Sequence, residues 1–201
     1  MRKFKNSVNG YTLIELLAVM LILIVIGTII ASIFVSSLRG SNKSTTTNDI
    51  RQSGSYAISQ MSKMVAYAKK FDGLSDDNSS WHTNCVPTLD KDGNPNPPTK
   101  YNYIKIVSFD PGEPTTTFSC TTVTVNGTDY GVLSSNSAVL IPDTMDASTC
   151  YFTCNQTNIL SPVTININLT LQKRHAASTT LLPESQTVAS FDTSVTLRNS
   201  P

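Results

Sequence analysis

The apolar positions along the chain change their period twice. From Leu16 to Val35, twenty consecutive residues carry no charge and almost no polarity. At 1.5 Å per residue such a helix is about 30 Å long, the thickness of a bilayer's hydrocarbon core. Further on, Ile58, Met61, Val65 and Ala68 recur at helical spacing, and Ala57, Met64 and Phe71 widen the same face. Asp49 stands where a cap belongs, Lys69 and Lys70 suit a helix C-terminus, and Gly73 stands where the helix would stop. The methionines on this face read as core filler. Between the two patterns lies "SSLRGSNKSTTTND", residues 36–49, rich in poor helix formers. It reads either as a continuing helix or as a softened joint, with Gly27 and Gly40 as flexible points.

Beyond residue 72 the period falls to two. Residues 72–100 are dominated by Gly, Pro, Asn, Asp and Ser and read as loop. "YNYIKIVSF" alternates. "TTFSCTTVTVNG" alternates through Phe118, Cys120, Val123 and Val125 with one change of phase, and "SAVLIP" is short and apolar. The clearest strand is "VTININLTL", with Val163, Ile165, Ile167, Leu169 and Leu171 on one face and Thr164, Asn166, Asn168 and Thr170 on the other. "SFDTSVTLRN" matches it, with Phe191, Val195 and Leu197 on one face. The connection between these two strands, 173–187, is too long for a tight hairpin. The expected class is α+β: an N-terminal helical part, transmembrane and then amphipathic, followed by an antiparallel β-sheet head.

Charge adds an orientation. The net charge is +1, but Arg2, Lys3 and Lys5 precede the apolar run, and the rest has 12 basic residues against 14 acidic. A basic flank stays cytoplasmic, so the remainder would face outward. The whole chain has no electrostatic footprint for nucleic acid. The four cysteines, Cys85, Cys120, Cys150 and Cys154, all lie in that outward part and are read as disulfide candidates of an oxidising compartment. Three pairings are open. The short Cys150–Cys154 spacing allows a local bridge, which would leave Cys85 with Cys120.

Glu15 breaks the pattern. A carboxylate at the head of a membrane-length run costs roughly 2.5–3.5 kcal/mol on insertion scales, and neither a secretory signal nor a plain anchor calls for one. "NGYTLIELLAVMLILIVIG" resembles the processing signal of type IV pilins and type II secretion pseudopilins. The resemblance covers about 30 residues. It implies a leader, residues 1–10, removed after Gly10 by a prepilin peptidase that also N-methylates the new terminus, Tyr11; phenylalanine is the commoner residue there. It makes Glu15 the fifth mature residue, able to pair with a neighbouring subunit's terminal amine and so set assembly register. Residues 11–35 become the filament-core helix, 36–72 its amphipathic second half, and 73–201 the β-rich head of a pilin-like lollipop. "FDTSVTLRN" and the length of about 190 mature residues resemble minor pilins and pseudopilins, the larger J-type in particular.

The head offers weaker candidates. "DKDGNPN" places Asp90, Asp92, Asn94 and Asn96 at alternating positions, oxygen ligands of the kind calcium takes. A calcium loop needs Gly at the sixth place and Glu at the twelfth, whereas Gly93 is fourth and Tyr101 stands twelfth, so the stretch reads first as an Asp-Gly turn. His82 with Cys85, Cys150 and Cys154 lacks zinc spacing. Trp81, Tyr101 and Tyr103 read as contact or core residues, and Lys173-Arg174-His175 as a solvated loop or a contact for DNA or an acidic neighbour. No catalytic constellation appears: Asp76 and Asp77 have no visible orienting group, and G-x-S-x-G, H-E-x-x-H and Gly-rich phosphate loops are missing.

The expectation is therefore a non-enzymatic structural subunit with no cofactor beyond the calcium candidate. Its partners would be the prepilin peptidase, other pilin-like subunits, an inner-membrane assembly platform and, before assembly, membrane lipid. It would sit in the cytoplasmic membrane with the head outside, then in a surface or periplasmic filament. The competing readings are a pilus-tip or membrane-anchored module that binds DNA or a surface ligand, and an anchored metalloenzyme.

Overall fold

The computed structural model describes residues 10–92, 94–109, 112, 115–174 and 187–198. One helix, α1 (Leu13–Ala66), precedes eight strands: β1 (Lys70–Ser75), β2 (Tyr103–Val107), β3 (Thr115–Val125), β4 (Thr128–Ser135), β5 (Ala138–Val139), β6 (Met145–Asn155), β7 (Thr164–Lys173) and β8 (Val188–Thr196). The chain divides into two compact units, one up to Asn42 and one from Lys43.

In the first unit α1 is helical throughout and none of its residues is buried. The polar stretch 36–49 continues the helix rather than softening it. A helix tolerates its threonines where the hydroxyl bonds back to the preceding turn, as Thr47 Oγ1 does to the Lys43 carbonyl at 2.8 Å. Asp49 lies inside α1 and caps nothing.

In the second unit the buried residues of α1 are Ile50, Gly54, Ala57, Met61 and Val65, a stripe stepping by three and four. Met64, expected on that face, is 44% exposed. The stripe instead begins two turns earlier than the Ile58 pattern suggested, because Gly54 is a contact point that hydrophobicity does not mark. A Cβ on Gly54 would lie 2.2 Å from Phe191 Cε2, so the missing side chain lets the ring rest on the helix backbone.

The helix ends sooner than Gly73. Lys63 is the basic residue of its last turn, and the Lys69 N–H already donates to the Val107 carbonyl at 2.8 Å. Lys70–Ser75, taken from the sequence as helix end and loop, is strand β1. Gly73 sits in that strand at φ +134°, beside a register shift between Phe71 and Gly73. Only glycine adopts that backbone readily, and a Cβ there would press on the His82 carbonyl oxygen at 3.1 Å.

Strands β1 to β5 form an antiparallel sheet in chain order, and β6 to β8 form a second. The strand pattern read from the sequence holds for β2, where Ile104 and Ile106 are buried, and for Val163 just before β7 with Ile165, Ile167, Leu169 and Leu171 on it. Phe191, Val195 and Leu197 also share the inner face of β8 and its continuation, Phe191 only partly buried. The phase change in β3 has a different cause from a bulge. Its register with β4 is continuous, but Val123 and Val125 lie at the far end of the hairpin, 46% and 38% exposed.

The helix stripe and the inner faces of both sheets close one core, with Phe118, Phe152, Met61 and Leu133 among its fully buried side chains. The sheets meet at β4 and β6, where a Cβ on Gly131 would lie 2.0 Å from the Ala147 carbonyl oxygen. Asp146 fastens that seam: Oδ1 accepts the Gly131 N–H at 2.7 Å and Oδ2 accepts from Gln172 Nε2 at 2.7 Å.

Candidate assembly segment and head cleft

The N-terminal segment starts with an ordered cap. Thr12 precedes the first helical residue, and its Oγ1 accepts the Glu15 N–H at 3.3 Å, while its carbonyl accepts from Glu15 and Leu16 at 3.1 and 3.2 Å. "TLIE" thus has the spacing of a capping box, with Thr at the cap and Glu three residues on. Glu15 is the acidic residue of the first turn, where the helix's positive end favours a carboxylate. Gly10 and Tyr11 lie just before the helix and are exposed, Tyr11 at 85%.

From Leu13 to Leu38 the large apolar side chains stand open on every side of the helix; Leu16, Ile22, Ile30 and Phe34 are each more than half exposed. The helix contains an 18-residue window of mean hydropathy 3.0, none of it buried. It is long and apolar enough to cross a membrane, and the water-exposed alternative is unfavourable at about 25 cal/mol per Å² of apolar surface.

The cysteines form two bridges, Cys85–Cys154 and Cys120–Cys150. The local Cys150–Cys154 bridge and its complement do not form. Both residues lie on β6, four apart along an extended strand, which holds their sulfurs away from one another. Cys120 on β3 is instead brought to Cys150 by the meeting of the two sheets, and Cys85 reaches Cys154 from the loop after β1. With all four sulfurs in disulfides, none is a thiolate ligand, and the His82–cysteine zinc set falls away. His82 instead bridges Leu74 through its backbone, and its ring lies 5.6 Å from that of Tyr101.

The acidic loops are built as turns. Asp90 Oδ1 accepts the N–H groups of Asp92 (2.9 Å) and Asn94 (2.8 Å), and the Asp90 N–H donates to the Asn94 carbonyl at 2.8 Å. Asn96 pairs with Thr88 through backbone and side chain, at 2.8 and 3.0 Å. One oxygen of Asp90 is thus engaged by backbone donors, which a calcium ligand would have to share. No group of three or more His, Cys, Asp or Glu placed to hold a metal ion occurs among the described residues.

Asp77 organises the preceding loop. It accepts from the Ser79 hydroxyl, the Ser80 and Ser79 N–H groups and the Ser75 hydroxyl, and these bonds hold its carboxyl well below the usual carboxylate range. Asp76, its neighbour, is exposed. Trp81 is half-buried under the Lys105 ammonium, 5.2 Å from the ring centroid, and Lys105 pairs with Asp72 at 3.0 Å. Arg174 stacks on Tyr130 at 4.4 Å, which removes it from a solvated basic patch; His175 lies outside the described residues.

One feature had no counterpart in the sequence reading. Beside the Cys85–Cys154 bridge lies a cleft of about 450 Å³, lined by Asn84, Asn96, Asn155, Asn166, Tyr101 and the Pro95–Thr99 segment, among others. Its asparagines come from the β1–β2 loop and two strands, so only their density in this Asn-rich chain hinted at it.

No protein-family model, curated protein or solved structure matches this chain. The architecture itself is pilin-like: a long apolar N-terminal helix whose second half packs on antiparallel sheets.

Proposed function

We propose that the protein is a structural subunit of a type IV pilus or a type II secretion-like pseudopilus, most closely of the minor kind. It is cut after Gly10 by a prepilin peptidase, N-methylated at Tyr11, held in the cytoplasmic membrane through residues 16–35 with the head outside, and drawn into a filament by an assembly platform. Its work is assembly rather than catalysis. The observation that carries this reading is the coincidence of Gly10, a capped helix start and Glu15 beneath an apolar segment that is exposed all round. Such a segment needs a hydrocarbon or helical surrounding, first lipid and then neighbouring copies. In either surrounding the Glu15 charge is poorly solvated, and the amine created at Tyr11 is the partner that relieves it; breaking a buried pair of this kind costs typically 3–5 kcal/mol.

Intact-mass and N-terminal analysis of the protein expressed alongside a prepilin peptidase tests the proposal. The expected species starts at N-methylated Tyr11. A mature terminus at Met1, or one beyond residue 30, overturns it.

A further inference from the structure

The cleft beside Cys85–Cys154 has a chemical character that sets it apart from the rest of the head. None of its lining residues is charged; they are asparagines, threonines, prolines, a valine, a tyrosine and the disulfide itself. An anionic, cationic or metal ligand would find no counter-charge there. A neutral ligand rich in hydroxyls would find amide donors and acceptors, a phenol and apolar walls. The volume, about 450 Å³, falls in the range of small-molecule sites, roughly 300–1,000 Å³.

Three of the four amides are held in place. Asn166 Nδ2 donates to Thr153 Oγ1 at 3.2 Å, and its Oδ1 accepts from Ser194 Oγ at 2.6 Å. Asn84 Oδ1 accepts the Val86 N–H at 3.0 Å, and Asn96 Nδ2 donates to Thr88 at 3.0 Å. An amide carries two donors and two acceptor lone pairs, so bonds that fix it still leave capacity toward a ligand. Fixing the side chains beforehand lowers the ordering cost of binding. Tyr101 is anchored through its backbone, which exchanges hydrogen bonds of 2.8 Å with Phe152 in both directions. The disulfide fastens the cleft's loop wall to the end of β6.

Asn166 also continues the cleft onto the outer face of the second sheet. There Thr164 bonds Thr196 at 3.0 Å, Thr170 bonds Ser190 at 3.2 Å, and Asn168 stands between Tyr151 and Asp192 in register. The row along β7 is hydroxyls and amides at every second position. The result is a neutral cleft opening onto a strip of hydroxyls and amides, flanked at Asn168 by Asp192 and by the Lys100 ammonium over Tyr151.

We propose that this cleft is a binding site for a neutral oligosaccharide. The pyranose hydroxyls bond Asn84, Asn155 and Asn166, the apolar sugar face lies toward Tyr101 and the proline wall, and a longer chain runs onto the β7 row. The site belongs to the head alone and stands whether or not the protein enters a filament.

Isotope-labelled full-length protein in a polyoxyethylene detergent, which carries no sugar, is titrated with chitotriose, maltotriose and cellotriose, and in parallel with a sialylated trisaccharide. At least one neutral sugar is expected to shift the side-chain amide signals of Asn84, Asn155 and Asn166 saturably, and the anionic sugar to shift them at least tenfold more weakly. Asn155→Arg, at an exposed position, is expected to abolish the shifts with the melting temperature unchanged, while Thr122→Arg on exposed β3 leaves them intact. No saturable shift with any of the three neutral sugars overturns the proposal, as does equal response to the anionic sugar or an unaltered response in Asn155→Arg. An N-terminus at Tyr11 is read from a separate experiment, so each idea fails on its own evidence.

Discussion

Thr12 and Glu15 stand where a cap and the proposed assembly contact coincide, which a single alanine scan would merge. Glu15 has the spacing to complete the cap begun by the Thr12 hydroxyl, and under the proposed function it meets the amine of a neighbouring copy. Glutamine keeps the first role and loses the second, because it serves in a capping box but has no charge. Glu15→Gln is therefore expected to leave the helix start and processing intact and to abolish incorporation into filaments. Thr12→Ala is expected to fray the first turn, at roughly 1 kcal/mol, with incorporation reduced but present. Immunoblots of sheared filaments beside total-cell fractions give the readout; normal incorporation of Glu15→Gln would reduce Glu15 to a cap. Gly54 poses a second residue-scale question, since helix propensity and packing oppose one another there. Gly54→Ala is expected to destabilise the protein by about 1–3 kcal/mol through collision with Phe191. In a Phe191→Ala background the sign should reverse, with a gain of about 1 kcal/mol from propensity alone. Denaturant melts of the four proteins decide it. Asp77 gives a pH signature. Its lowered folded pKa means that its contribution is complete above the ordinary carboxylate value of about 4 and is lost only as pH falls through its own lower one. The amide resonances of Ser79 and Ser80 should therefore hold steady down to about pH 4 and move only below it, and Asp77→Asn should remove that transition.

At the scale of elements, β6 is where the head is tied together. It pairs with β7, meets β4 at Gly131, and holds one cysteine of each bridge. That role was illegible in the sequence, because a local pattern reports which way side chains face and says nothing about which distant strand they face. The same limit explains the cysteine pairing: Cys150 and Cys154 are close along the chain yet bound to partners 30 and 69 residues away. Strand β7 was readable because one face is buried in unbroken alternation, and β8 because Ala189, Phe191, Thr193 and Val195 share a covered face that alternates with an exposed one. β1 was hidden by Gly73, which looks like a helix stop until its bulge is seen. The two bridges should differ in what they protect. Peptide mapping without reduction is expected to find Cys85 linked to Cys154 and Cys120 to Cys150; a Cys150–Cys154 peptide would contradict the fold. Replacing the Cys120–Cys150 pair by serine should lower global stability by about 2–4 kcal/mol. Replacing Cys85–Cys154 should in addition expose residues 86–99 to proteolysis, since few strand hydrogen bonds hold that wall.

For the whole molecule, the apolar pattern alone separates two solvents. Residues 16–35 ask for hydrocarbon on all sides, whereas Ile50 onward asks for a protein core on one side. The boundary was harder to see. Gly40 and the three threonines suggested a joint, but poor propensity summed over a few residues is a weak force beside the continuity of a long helix. The structure shows where dependence on packing begins: among the described residues no side chain before Ile50 is buried, and Ile50 itself is 1% exposed. Removing everything before Lys43 therefore deletes no core contact while keeping the first buried residue two turns from the new end. A chain of residues 43–201 is expected to fold as a monomer without detergent, to melt cooperatively, and to form both disulfides. The full chain should require detergent or lipid to stay dispersed, and the shorter one should never enter a filament. Light scattering and thermal unfolding of the two proteins side by side make the comparison. Aggregation or non-cooperative melting of the shorter chain would mean that the apolar segment supports the head as well as anchoring it.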